Sequence, residues 1–340
     1  MSRPLGPGHL RSPQQKGAGV SPLLKLILRR LGLGVLTLFL VSVVVFGATQ
    51  ALPGDPARAI LGKQSADKAM YLALRQQLHL DRPIYVQYEI WSRGIVSGHL
   101  GTSTASGQPV TTLIRARVVN SLILVLLAAL ISIPVSLLIG ALAALWRDSV
   151  FDMTTSVGSL ALAALPEFVI AMLLIFVFAT TVMHFMPSVS RIDPTLAIWS
   201  QLNLLILPVL TLVLAVAPYI SRILRASMIE VLESDYVQMA RLKGMPERTV
   251  MSRHALPNAV IPAIQVSALQ LAWLAGGVVV VEFVFNYPGI GSAFIDAVKN
   301  RDLPVVQAIA LLIAAVYVLA NLAADILTIL VSPRLRTGLR

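Results

Sequence analysis

Long apolar runs separated by short polar stretches set the pattern of this chain. Six runs reach the roughly 20 residues that a helix needs to cross a bilayer, over about 31–52, 119–146, 153–183, 204–224, 260–284 and 305–331. Between the fourth and fifth lies the polar segment Asp235–Pro262. Its residues predict two short helices with a break. Asp235 serves as N-cap, Arg241 and Lys243 sit in the last turn where cations favour the helix dipole, and Gly244 is the stop. Pro246 and Glu247 then suit the first turn of a second helix. One reading is a solvated loop; the other is an elbow on which another protein pushes.

The segment after the first run is also patterned. Residues 66–80 have helical spacing (Met70, Leu72, Leu74, Leu78), and Asp81-Arg82-Pro83 breaks it. A second helix is expected over Ile84–Val96, with Tyr85, Tyr88 and Trp91 at the membrane–water interface. Ser97–Pro109 reads as a Gly/Ser/Thr loop. A small helical cap or an interfacial hairpin outside the membrane is expected. Residues Met1–Ser21 are rich in Gly, Pro, Ser and Gln and read as a disordered lead. The expected division is a disordered cytoplasmic arm over 1–25, then the first span with its external segment over 26–118. A five-helix core over 119–331 contains the loop 225–258, and 332–340 form a cytoplasmic tail.

Composition turns these runs into membrane spans. Of 340 residues, 56% are hydrophobic and 13% charged, against about 25% charged in soluble domains. No protein core absorbs that much apolar surface, so lipid is the solvent. The chain is expected to be an all-α polytopic membrane protein with six transmembrane helices. Lys and Arg set its orientation. With the N-terminus inside, the inner segments carry 16 of them and the outer ones 11, of which 8 lie in the long loop 53–118 that translocates regardless of charge. Both termini are then cytoplasmic. The net charge of +11 reports this topology and does not call for nucleic acid. The absence of cysteine excludes disulfides and thiolate chemistry. The first run exceeds a signal-peptide core in length, so an uncleaved span is expected despite Ala57-Arg58-Ala59 beyond it.

Ionisable residues inside or at the rim of the spans are Glu167, Glu282 and Asp325. Each is costly in lipid and should face protein or a watery path. Pro166 breaks the third span beside Glu167, where backbone can line a cavity. A translocation route and simple interhelical hydrogen bonds are both open for all three. Small residues at Gly140–Ala144 and Ala272–Gly277 mark faces that pack on helices. No phosphate-binding loop occurs, since Gly62-Lys63-Gln64-Ser65 lacks its pattern, and the five histidines have no metal-ligand spacing.

The elbow resembles the signature loop of importer permeases of the ATP-binding-cassette class: Glu-Ala-Ala, three residues, Gly, nine residues, Ile-x-Leu-Pro. Gln238-Met239-Ala240, Gly244 and His254-Ala255-Leu256-Pro257 keep the spacing. The first two residues and the Ile depart. Elsewhere the chain resembles the first of the two permeases in dipeptide, oligopeptide and nickel importers. The residues that carry this are Leu52–Pro56, Leu80–Pro83 with Tyr85, Gln87 and Tyr88, Gly98–Ser103 (His99 replacing the usual Asp), Asn120-Ser121-Leu122, Phe285-Asn286-Tyr287-Pro288-Gly289-Ile290-Gly291, Asn300–Gln307, Asn321-Leu322, Asp325 and Ser332-Pro333-Arg334.

The resemblance implies a type I importer permease fold in the bacterial inner membrane. It implies a second homologous permease subunit, two ATPase subunits that hold ATP and Mg, and an external substrate-binding protein. This chain itself would be non-catalytic, without cofactor or metal. The elbow would be the coupling helix, through Asp235, Tyr236, Ala240, Arg241, Lys243, Gly244, Arg248, His254, Leu256 and Pro257. Ala240, Gly244 and Met245 offer a compact apolar break, and the cations offer pairs for an acidic rim. Path candidates are Pro166, Glu167, Glu282, Asn286 and Asp325. The expected cargo is a di- or oligopeptide. Nickel or another small solute is the alternative, and a third is an ion-coupled secondary transporter using the three carboxylates.

Overall fold

The computed structural model describes residues 22–51, 67–77, 80–193 and 198–331, with positions 57, 61 and 196 between them. Regular structure among these is helical, apart from an isolated antiparallel bridge between Thr102 and Pro109. The long helices are α1 (Pro22–Gln50), α4 (Val110–Leu145), α7 (Ile206–Leu232), α9 (Leu256–Val284) and α11 (Leu303–Val331). Shorter ones are α2 (Lys68–Gln77), α3 (Ile84–Val96), α5 (Val150–Ala164), α6 (Glu167–Ile175), α8 (Asp235–Leu242) and α10 (Ile290–Lys299). Five helices are long and apolar enough to cross a membrane, or six if the bent pair α5–α6 counts as one span.

The third expected span is the one the fold breaks. Leu165 is extended (φ −91°, ψ 132°) ahead of Pro166, and α5 meets α6 at 109°. Proline excludes helical backbone from the residue before it and brings no N–H of its own, so the helix ends there. By contrast Pro134, Pro218 and Pro262 lie inside α4, α7 and α9, where neighbouring helices compensate for the lost bond.

At 36 residues, α4 is about 54 Å long, against a hydrocarbon core of about 30 Å. Its extra turns, Val110 and Ile114, pack on Ile290, Ala297, Val305 and Ile309 of α10 and α11. The main core joins α4, α6, α7 and α9 through Leu124, Ile170, Leu212, Ile220 and Leu274. Helix α7 sits at its centre, with 67% of its apolar window buried against 11% for α1. Helix α1 packs on α11 and α3. A close crossing of α4 and α7 uses Gly140, where a methyl group would lie 2.6 Å from the Ser221 carbonyl oxygen. Ala143 and Ala144 are buried on the same face, as their size predicts. Gly276 breaks that pattern, since it is exposed with open space beside it.

Several expectations move. Helix α1 already includes 22–25, which were assigned to the disordered arm. The rest of that arm, the motif 52–56, the segment 62–65 and the tail 332–340 lie outside the described residues. Tyr88 and Trp91 do not face the interface alone. They stack on Phe46 of α1 at 5.4 and 5.3 Å, and Tyr88 Oη lies 2.7 Å from Ser42 Oγ. Two aromatic rings thus pin the small helical cap to the first span. Tyr85 remains exposed.

Candidate functional site

Four places carry the unusual chemistry: a socket, a clamp, a cavity and the elbow. The socket closes the far end of α9, away from the elbow. Asn286 has left-handed backbone (φ 49°) and ends the helix as asparagine can. The chain then folds back so that Gly291 N–H donates to Glu282 Oε2 at 2.7 Å. Ser121 Oγ donates to Glu282 Oε1 at 2.5 Å and accepts from Ile290 N at 2.8 Å. Asn120 Nδ2 donates to the Pro288 carbonyl and Tyr287 Oη to the Asn120 carbonyl, both at 2.8 Å. A methyl group on Gly289 would overlap the Glu282 carboxyl, and one on Gly291 the Val279 backbone. This explains the Asn-Ser and Pro-Gly-Ile-Gly motifs as two halves of one joint. Glu282 is 0% exposed, so it is an interhelical anchor. The protein encloses its side chain completely, and Asn286 is a helix stop.

The clamp lies beside it. Asp302 precedes α11 and accepts from Ser103 Oγ, Thr104 N (3.0 Å) and Thr104 Oγ1 (3.2 Å). Left-handed turns at Gly101 (φ 82°) and Arg301 (φ 54°) bring the two loops together. Gln307 then reaches Thr49 of α1 at 2.7 Å. Asp325, the third intramembrane carboxylate, pairs with Arg30 of α1 at 3.2 Å and likewise holds helices together.

Of the three flagged carboxylates, Glu167 is the one that borders a cavity. It stands in the first turn of α6, just past the proline break. There it borders a cavity of about 410 Å³ lined also by Tyr219, Gln270, Trp273, Tyr317 and Asn321. Tyr219, Gln270 and Tyr317 are each the central residue of their helix, so the cavity lies halfway across the spans. Pro166 creates the break but does not line the cavity. The polar mid-span residues Gln270 and Asn321 were signals in the sequence that pointed to this place and were passed over as site residues.

At the elbow, Ser234 and not Asp235 is the N-cap residue of α8, and its hydroxyl turns back to the Val231 carbonyl. Gly244 (φ 75°) ends the helix, with its N–H on Arg241 O and that of Met245 on Ala240 O. The expected second short helix is the beginning of a span. From Glu247 one helical path runs through a wide π turn, Val250–Ala255, into α9. Pro257 offers no N–H to the carbonyl four residues back, so the wide turn sits where the ladder already lacks a bond.

Val237 and Ala240 are buried on Val250, with Val231, Leu232 and Met245 packed around them. Ala240 and Met245 therefore face inward, contrary to their expected part in a docking surface. The outward face of α8 is Tyr236, Met239 and Leu242, the last 82% exposed, and Leu256 and Pro257 at the start of α9 are exposed as well. Arg241 already binds Glu247 through two bonds, at 2.6 and 3.1 Å. That carboxylate raises the guanidinium pKa above its ordinary value. Lys243 and Arg248 are exposed, and His254 is half-buried. Arg147–Glu233 (2.5 Å) and Arg225–Asp152 (2.5 and 2.6 Å) tie the elbow's base to α4 and α5.

A broken span, a cavity beside it and a short amphipathic elbow are set in a polytopic bundle of helices long and apolar enough to cross a membrane. Residues 136–337 match the family described as binding-protein-dependent transport system inner membrane component. Residues 23–111 match the N-terminal part of such membrane components. The chain belongs to this family, as an ATP-binding-cassette importer permease of the peptide group with the type I importer permease fold. It is similar to the glutathione transport system permease protein GsiC of Escherichia coli O6:H1, 39% identical over 315 residues covering 92% of this chain and 99% of the relative. The proteins of the same name from Escherichia coli (strain K12) and Salmonella choleraesuis are each 38% identical over 315 residues, with the same coverage.

Proposed function

We propose that this chain is one half of a permease pair that imports short peptides across the bacterial inner membrane. A substrate-binding protein delivers the peptide, and ATP hydrolysis on two partner ATPases supplies the energy. Both termini and the elbow lie on the cytoplasmic side, which the distribution of Lys and Arg supports. The observation that carries the reading is the exposed apolar face of α8, Tyr236, Met239 and Leu242. It is held rigid by an inner face that packs on the start of α9. A short amphipathic helix in that state is built to seat in a groove. Because α8 packs on the helical path that runs from Glu247 into α9, rotation of the elbow is passed to the span that carries both Gln270 of the cavity and Glu282 of the socket. The relatives named for glutathione transport support a small peptide as cargo.

The test is ATP-driven uptake by the reconstituted four-subunit complex with its binding protein. Glutathione and a set of dipeptides should accumulate inside vesicles and compete with one another. Accumulation of nickel alone, or uptake that follows an ion gradient without ATP, overturns the proposal.

A further inference from the structure

Resting on the reading of the cargo as a peptide, we propose that the mid-membrane cavity binds the cargo's ammonium group, with Glu167 as its counter-charge. Each of the other flagged carboxylates already has its partners: Ser121 and Gly291 for Glu282, Arg30 for Asp325. Glu167 has no hydrogen bond or ion pair among the described residues. A charge left open at the centre of a span is costly unless a function keeps it. The charge is therefore retained for a ligand that is present only part of the time.

The rest of the lining fits a cation with a peptide attached. Tyr219, Trp273 and Tyr317 supply aromatic rings, which attract ammonium groups electrostatically. Gln270 and Asn321 supply carboxamides that can meet a peptide bond or carboxylate. Asn321 Nδ2 already gives one hydrogen bond, at 2.9 Å, to the Tyr317 carbonyl, which fixes its position. The volume, about 410 Å³, lies within the range of small-molecule sites, about 300–1,000 Å³. A weak site halfway along the route would select for the amine after release from the binding protein and before the path opens inward.

The experiment measures weak binding by saturation-transfer NMR to the assembled permease–ATPase complex in nanodiscs, without binding protein. The probes are trialanine and N-acetyl-trialanine. Free-amine trialanine should bind roughly tenfold more tightly, as a charge-assisted contact in a partly desolvated site allows. Glu167→Gln should bring trialanine down to the acetylated level, and Glu167→Asp should keep part of the preference. Co-purification of the ATPases checks that each variant assembles, and the two-probe comparison on the unmodified complex stands even if one does not. Equal binding of the two probes overturns the inference. So does a Gln variant that retains the preference. No binding of either probe overturns it too, as when a basic residue of the second permease already fills the site. ATP-driven uptake measured on the same complexes separates the two failures. Uptake without amine preference removes the site and leaves peptide import standing, whereas no uptake by the unmodified complex removes peptide import itself.

Discussion

Glu282 and Glu167 are the same residue type, both in the membrane bundle, and their surroundings are opposite. Glu282 is closed in on every side, with Ser121 Oγ and Gly291 N–H on its carboxylate and no exposed surface. Glu167 borders a cavity and has no partner among the described residues. A buried charge whose bonds are all made belongs to the frame, because removing it leaves its donors stranded. A charge whose bonds are unmade adds nothing to the frame and is free to serve a ligand. The elbow repeats the contrast within one helix, where Ala240 is buried and Leu242 is 82% exposed. The stability of the isolated complex is therefore a measure of which groups are frame and which are kept open.

The largest loss is expected at the glycines of the socket. Gly289→Ala places a methyl group on the Glu282 carboxyl, and Gly291→Ala places one on the Val279 backbone. Neither neighbour has room to retreat, so each change should cost about 3 kcal/mol or more. The readout is loss of monodisperse protein and a lower midpoint in thermal unfolding. Gly276→Ala is the control, since nothing lies within 4 Å of the added carbon; helix propensity predicts a gain of up to about 1 kcal/mol. Equal behaviour of the three variants would falsify the socket as a close-packed joint.

Glu282→Ala comes next. It strands the Ser121 hydroxyl and the Gly291 N–H in a closed space, a loss of about 2–4 kcal/mol. Glu282→Gln keeps a carbonyl oxygen for one of the two donors and should fall roughly midway. Glu167→Ala should change stability by no more than about 0.5 kcal/mol. The comparison fails if unfolding shows the two alanine variants equally destabilised.

Arg30 and Asp325 set an intermediate case. Their pair links α1 to α11 at 3.2 Å, with Arg30 half exposed. Partial exposure limits such a pair to about 1 kcal/mol, so Asp325→Asn should shift the unfolding midpoint slightly and leave assembly intact. A shift as large as that of Glu282→Ala would move Asp325 into the frame.

How much of this was legible beforehand depended on the range of the contacts involved. Helices α2 and α3, the stop at Gly244 and the break at Pro166 were all legible, because each follows from residues adjacent in the chain. The 109° turn at that break was not, since Pro166 ends a helix without fixing where the next one points. Glu282 and Glu167 look alike in sequence. They differ through Ser121, some 160 positions away, and through helices that meet only in the folded bundle. Ala240 was misplaced for a similar reason: a short apolar residue in a motif serves either face, and only Val250 and Met245 packing behind it decide which. The family motifs marked the important positions correctly. They did not separate the residues that hold the joint from those that would touch a partner.

Leu242→Asp should have the smallest effect on the frame and the sharpest effect on coupling. Its side chain is among the most exposed of the large apolar residues, so its replacement should alter unfolding by no more than about 0.5 kcal/mol. A carboxylate there would have to be desolvated in any apolar groove that receives α8, which is costly without a paired cation. Co-purification of the ATPases and ATP-driven uptake should both collapse in a protein whose melting curve is unchanged. Gly244→Trp offers a second approach to the same face. Open space surrounds the position, but its φ of 75° costs a side chain about 1–2 kcal/mol, so part of its effect is on the frame. Only Leu242→Asp isolates the docking face. Should that variant still hold its ATPases and transport at the normal rate, the exposed side of α8 would be lipid-facing or idle, and the drive would have to enter elsewhere.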